Sequence, residues 1–180
     1  MNRTEQRYTP LFCEENVWHL ARRMLEAGEA AGSSWVLLFS NPERQMVMLH
    51  QRRAGPEGYV VWDYHLVLQV KDLIYDLDTN LPFPMPAFDY LHASFPDPAS
   101  VPEIYRGLLR RIPAESFVER FHSDRSHMEG VIAAEDFPSW PAILPDHDAS
   151  IPLRHYWDLA RSLPDGSEVM SVLDYQRRLA

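Results

Sequence analysis

The sequence predicts an α/β (α+β) fold, a single domain built on a mainly antiparallel sheet with flanking helices, and three observations carry that prediction. Trp62-Asp63-Tyr64-His65-Leu66-Val67-Leu68-Gln69-Val70 and Leu73-Ile74-Tyr75-Asp76-Leu77-Asp78-Thr79 are two runs of strand-forming residues. Only Lys71-Asp72 separates them, and so short a polar connection makes a hairpin, hence antiparallel strands. Ahead of them, Val17, Leu20, Ala21, Met24 and Leu25 recur at the spacing of one helical face. Finally, 180 residues with 46% hydrophobic content suffice for one core and are too few for two ordinary domains. Residues 1–180 are expected to form one domain.

The elements follow in order. Pro10 precedes Cys13, Glu14 and Glu15 occupy a first helical turn, Arg22 and Arg23 come late and Gly28 stops the run, so a helix of about four turns begins at or just after Cys13 with charges that suit its dipole. Trp35–Phe39 and Met46–Leu49 read as strands and are expected to pair as neighbours. Residues 51–58, with Gly55-Pro56 and Gly58, form a loop into the central strand. Along that strand alternation puts Asp63, His65, Val67 and Gln69 on one side and Trp62, Tyr64, Leu66 and Leu68 on the other. The prolines of Leu81-Pro82-Phe83-Pro84-Met85-Pro86 forbid helix and central strand and leave a rigid extended segment, either covering a sheet edge or lining a groove. Ser100-Val101-Pro102-Glu103 matches a capping box, predicting a short helix through Ile104 and Leu108 to Arg110-Arg111. A second short helix is expected over 115–121, a polar loop over 122–128 and irregular cover over 135–152. Tyr156, Trp157 and Leu159 mark a helix, and Val169 to Leu179 a closing strand, turn and helix.

Composition narrows the function. A formal net charge of −9 and a pI of about 5.3 argue against a surface that tracks phosphates, so no nucleic-acid partner is expected. No apolar run is long enough to span a bilayer, and the first residues lack the apolar centre of a signal peptide, so the protein is expected to be cytoplasmic, off the membrane and monomeric. A single cysteine allows no internal disulfide. Asp146-His147-Asp148 has no supporting ligand at helical or hairpin spacing, so no metal is expected there.

The chemistry gathers on few residues. An imidazole facing a carboxylate on one sheet face is two thirds of a catalytic triad, and Cys13 is the candidate nucleophile. At a helix N-terminus the exposed N–H groups favour a thiolate and an oxyanion, which predicts a depressed thiol pKa and rapid alkylation near neutral pH. Glu14 and Glu15 would oppose that if they pointed at the sulfur. Asp76 and Asp78 share a face, so alternation alone does not choose between them. A Val70-Lys71 loop would set His65 opposite Asp76, whereas a Lys71-Asp72 loop would set it opposite Asp78 with Asp76 on the diagonal. Turn chemistry favours the latter loop, with Asp72 taking positive φ.

Four blocks, Phe12-Cys13-Glu14-Glu15-Asn16-Val17-Trp18, Val61-Trp62-Asp63-Tyr64-His65, Ile74-Tyr75-Asp76-Leu77-Asp78-Thr79-Asn80-Leu81-Pro82-Phe83-Pro84 and Ser123-Asp124-Arg125-Ser126-His127-Met128, resemble the protein N-terminal glutamine amidohydrolase family. The resemblance implies a transglutaminase and cysteine-protease-like fold and a thiol deamidase that converts an N-terminal Gln of a protein or peptide to Glu through a thioester. It implies Cys13, His65 and Asp76 as catalytic residues, and no metal or organic cofactor. Met85 stands where many members carry another cysteine. Reading an α-ammonium calls for a carboxylate, and Glu15, Asp63 and Asp124 are the candidates. The alternatives are a transglutaminase-like acyltransferase, a small thiol protease, and a non-catalytic peptide-binding module.

Overall fold

The structure, a computed structural model, describes residues 1–29 and 32–180. In chain order the strands are β1 (Ser34–Ser40), β2 (Met46–Leu49), β3 (Tyr59–Trp62), β4 (Tyr64–Val70), β5 (Leu73–Tyr75), β6 (Met85–Pro86), β7 (Leu108–Pro113), β8 (Phe121–His122), β9 (Ile151–Pro152) and β10 (Glu168–Ser171). The helices are α1 (Cys13–Glu26), α2 (Ala87–Ser94), α3 (Ala114–Arg120), α4 (Leu153–Trp157) and α5 (Val172–Leu179). A six-stranded antiparallel sheet ordered β10-β7-β1-β4-β5-β6 is the central layer.

Helices cover both faces of that sheet, which is why β1 and β4 are apolar almost throughout. Val36 and Leu38 of β1 pack with Leu66 and Leu68 of β4 against Val17, Leu20 and Met24 of α1 and Phe117 of α3. Leu37, Phe39 and Val67 on the reverse face meet Tyr90 and Leu91 of α2 and Val172 and Tyr175 of α5. Each such fully buried side chain contributes about 1.5–3 kcal/mol, so packing of its apolar face, more than helix propensity, fastens α1 to β4. The end of α1 is closed by Gly28 at φ 73°, with the Gly28 N–H on the Leu25 carbonyl and the Glu29 N–H on the Met24 carbonyl. A left-handed cap of that kind is why glycine stops this helix.

The hairpin forms with Lys71-Asp72 as its loop, since Val70 pairs with Leu73 and Leu68 with Tyr75. The positive φ falls on Lys71, at 55°, and not on Asp72 as turn preference suggested. Three larger expectations are corrected. β1 pairs with β4 and β7, while β2 pairs with β3 in a separate ribbon, so the first two strands are not partners. The run from Trp62 to Val70 is not one strand either. It bends at Asp63, whose carboxylate takes the Tyr64 N–H and whose carbonyl accepts from the Ser40 hydroxyl. That local bond supplies the backbone with a partner outside the ladder. Finally, residues 104–111 do not form a helix. A single 3₁₀ turn (Glu103–Tyr105) precedes β7, where Leu109 and Ile112 fill opposite faces. Arg110, read as a helix-terminal charge, is buried and donates to the carbonyls of Tyr156, Asp158 and Arg161. The helix over 114–120, the irregular cover before Ile151 and the closing strand and helix lie where the pattern predicted. The proline-rich segment ends in β6, an edge strand, and no helix among the described residues is long and apolar enough to cross a membrane.

Candidate active site

Cys13 opens α1. Asn16, one turn on, holds the incoming chain by accepting the Thr9 N–H and donating to the Thr9 carbonyl, which sets where the helix starts. The sulfur lies against β4, near the Leu66 backbone N–H, which opposes but does not offset the rise in its pKa. β5 does not cover this part of β4 because it stops at Tyr75: Leu77, which the register would set opposite Leu66, has already left the strand.

His65, next to Leu66, is fully buried and stacks on Trp62, ring centroids 5.5 Å apart and 13° from parallel. The bend at Asp63 brings Trp62 to the His65 side, although simple alternation placed it on the other. His65 Nε2 lies 3.1 Å from Asp76 Oδ1. The Asp78 N–H at 2.8 Å also donates to Oδ1, while the Tyr90 hydroxyl at 2.8 Å and Gln51 Nε2 at 3.2 Å donate to Oδ2. Four donors therefore fix this carboxylate. Burial alone would raise Asp76, but the imidazole and these donors outweigh it and hold it below its ordinary range. Burial would likewise depress His65, yet the Asp76 charge outweighs it and raises the imidazole. Nδ1 of His65 is buried and has no hydrogen-bond partner among the described residues, so this ring has one nitrogen engaged and one open.

Asp78, the residue that register sets opposite His65, gives its carboxylate to the Tyr8 hydroxyl at 2.6 Å. His65, Asp76 and Asp78 each bring an atom within 4.8 Å of the others, a grouping that could hold a cation. The four donors already on Asp76 argue for hydrogen bonding as its use.

The thiol departs from expectation. Burial pushes Cys13 well up, and the neighbouring Glu14 carboxylate pushes it further. Glu14 Oε2 is 3.7 Å from the sulfur and takes the Tyr64 hydroxyl at 3.2 Å. The Tyr64 oxygen in turn meets His127 Nε2 at 3.2 Å. Sequence reasoning weighed Glu14 only as an opposing charge and missed Tyr64, His127, Tyr90 and Gln51. His127 lay in a stretch singled out for its polar density, but Tyr90 sits on α2 with no pattern to mark it.

The three substrate-binding candidates have different settings. Glu15 is fully buried and saturated by a two-pronged ion pair with Arg125, at 2.8 and 2.7 Å, and by Trp140 Nε1 at 2.7 Å. It ties α1 to the segment that follows β8. Asp63 is half exposed and paired with Arg44 at 2.7 Å. Asp124 is exposed, caps Ser126, and borders a cleft of about 370 Å³ shared with His127, Arg154 and Trp157.

Comparison with known proteins gives one answer. The family described as N-terminal glutamine amidase matches residues 8–178. A cattle (Bos taurus) relative named protein N-terminal glutamine amidohydrolase is 35% identical over 76% of this chain and 70% of its own. Relatives with the same name from rice (Oryza sativa subsp. indica), 30% identical over 93% of this chain and 78% of theirs, and from Drosophila mojavensis, 36% over 76% and 71%, agree.

Proposed function

This chain belongs to the N-terminal glutamine amidase family, and from that premise we propose that it hydrolyses the side-chain amide of an N-terminal glutamine, yielding glutamate and ammonia, with Cys13 as nucleophile, His65 as general base and acid, and Asp76 as the residue that orients the ring. The observation that carries the reading is the buried His65–Asp76 pair with the other imidazole nitrogen, Nδ1, left without a hydrogen bond among the described residues.

In the proposed reaction Nδ1 takes the thiol proton and Sγ attacks the amide carbon, forming a C–S bond. The carbonyl oxygen becomes an oxyanion held by N–H groups of the first turn of α1, which have no acceptor within the helix. Collapse breaks the C–N bond, and the imidazolium gives its proton to the departing nitrogen, releasing ammonia. Water then gives a proton to the same nitrogen and attacks the thioester. C–S cleavage returns the proton to sulfur and frees glutamate. Asp76 holds Nε2–H throughout and stabilises the charged ring.

Incubation with Gln-initiated peptides, followed by mass spectrometry, tests this. Conversion to Glu is expected for Gln at position one. The same peptides with Gln moved inward, or beginning with Asn, are expected to persist, the latter because one methylene less withdraws the carbonyl from a nucleophile that must sit about 3–3.5 Å away. Equal turnover of internal Gln would favour a transglutaminase-like enzyme, and Cys13→Ser retaining activity would remove the nucleophile assignment.

A further inference from the structure

Glu14 is a buried acidic residue that the mechanism leaves unused. Its side chain is inaccessible to solvent, and Oε1 has no hydrogen-bond partner among the described residues. His127 Nε2 stands 3.5 Å from Oε1 but makes its hydrogen bond to Tyr64. A buried carboxylate with an oxygen unpaired is costly, and one beside a nucleophilic sulfur also opposes the thiolate. Its neighbour Glu15 shows how this fold satisfies an acidic side chain when the role is structural: an arginine fork and an indole N–H take both oxygens. Among the described residues no arginine or indole meets Glu14, whose neighbours are the Cys13 sulfur, the Tyr64 hydroxyl and, at 3.5 Å, His127.

We propose that Glu14 receives the α-ammonium of the substrate's N-terminal glutamine, so that the cation missing from the resting site arrives with the substrate. The inference rests on the glutamine-deamidation reading and deepens it by assigning the residue that reads the free amine. The distances allow it. In an extended glutamine the α-nitrogen and the amide carbon lie about 5 Å apart by ordinary bond lengths. An N⁺–H···O⁻ contact spans about 2.7–2.9 Å, and the attack distance is about 3–3.5 Å. With Sγ and the Glu14 carboxylate 3.7 Å apart, one glutamine can meet both at its two ends. An acetylated glutamine brings no charge to this contact.

Entry follows from the neighbours. His127, 17% exposed, stands between Oε1 and the cleft of about 370 Å³ that it lines with Asp124 and Trp157. Exchanging the His127 contact for an ammonium gives Oε1 a full charge partner. It also cancels the negative charge beside Sγ, so recognition of the amine and activation of the thiol become one event. The other carboxylates fit less well: Glu15 is saturated, Asp63 is matched to Arg44, and Asp124 caps Ser126 at the surface.

The test uses the full chain carrying Cys13→Ser, which binds without turning over. Calorimetry should show a Gln-initiated peptide binding about a hundredfold more tightly than its acetylated form, and adding Glu14→Gln should erase that difference. A difference that survives in Cys13→Ser/Glu14→Gln overturns the proposal. Should that double variant not fold, a carbodiimide cross-link in Cys13→Ser decides the matter, because it joins the substrate amine to whichever carboxylate it touches. An amide on Glu14 supports the anchor; an amide on Glu15, Asp63 or Asp124, or none, overturns it. Deamidation by the unaltered protein is followed in parallel. Its absence strikes the glutamine reading itself, whereas its presence with indifference to Glu14 strikes only the anchor.

Discussion

At the scale of single residues, the choice between Asp76 and Asp78 turns on reach. Register sets Asp78 opposite His65, yet it is Asp76, from the diagonal, that meets Nε2, because the chain leaves the strand after Tyr75 and the Asp78 N–H turns back onto Asp76. Asp76→Asn should therefore fold normally and lose activity by about 10⁴, the loss seen when a triad imidazole is held in the wrong tautomer. Asp78→Asn, which disturbs Tyr8 instead, should cost far less. Steady-state rates of the two variants check this, and the reverse order would overturn the assignment. The thiol offers a second check. With burial and Glu14 both raising Cys13, iodoacetamide modification should be slow at neutral pH and accelerate towards alkaline pH. In Glu14→Gln the profile should move to lower pH. A rate plateau already at pH 6–7 in the unaltered protein would instead mean a preformed thiolate–imidazolium pair.

At the scale of elements, the site depends on contacts that hold α1 in place from outside the sheet. Arg125 joins the segment after β8 to Glu15 on the first turn of α1, with both groups largely withdrawn from water. Removing one partner of a buried pair strands the other charge, so Arg125→Ala should lower stability by roughly 3–5 kcal/mol in urea unfolding. A loss under 1 kcal/mol would mean that Trp140 alone satisfies Glu15. The legibility of elements follows the same division between local and distant causes. α1 was readable because its apolar face, first-turn acids and Gly28 all lie within one stretch. β7 was misread because a capping box and a basic ending are local signals, whereas burial of Arg110 depends on the carbonyls of Tyr156, Asp158 and Arg161, some fifty residues away.

At the scale of the whole molecule, the buried imidazole–carboxylate pair makes stability depend on pH. Asp76 titrates below its ordinary 3.8, so its contribution is present above that value and is lost as pH falls through the depressed pKa. His65 titrates above its ordinary 6.5, so its contribution is complete below that value and is lost as pH rises through the elevated pKa. The stability difference between the unaltered protein and Asp76→Asn should therefore be greatest between about pH 3.8 and 6.5 and shrink on either side. Urea midpoints across that range measure it, and a difference that grows steadily to alkaline pH would contradict the pairing.

The sequence by itself determined the layered antiparallel fold, the helix beginning at Cys13, the Lys71-Asp72 hairpin and the family, because hydrophobic period, caps and contiguous motif blocks are written along the chain. Tertiary structure alone decided that β1 pairs with β4 and β7 while β2 pairs with β3, that Trp62 swings to the side of His65, and that Glu15 is consumed by Arg125 while Glu14 keeps one oxygen without a hydrogen bond among the described residues. Those outcomes rest on distances between residues far apart in sequence, and on which buried charge receives its partner. Adjacent glutamates share every local preference, so only the groups that folding brings to each could tell them apart.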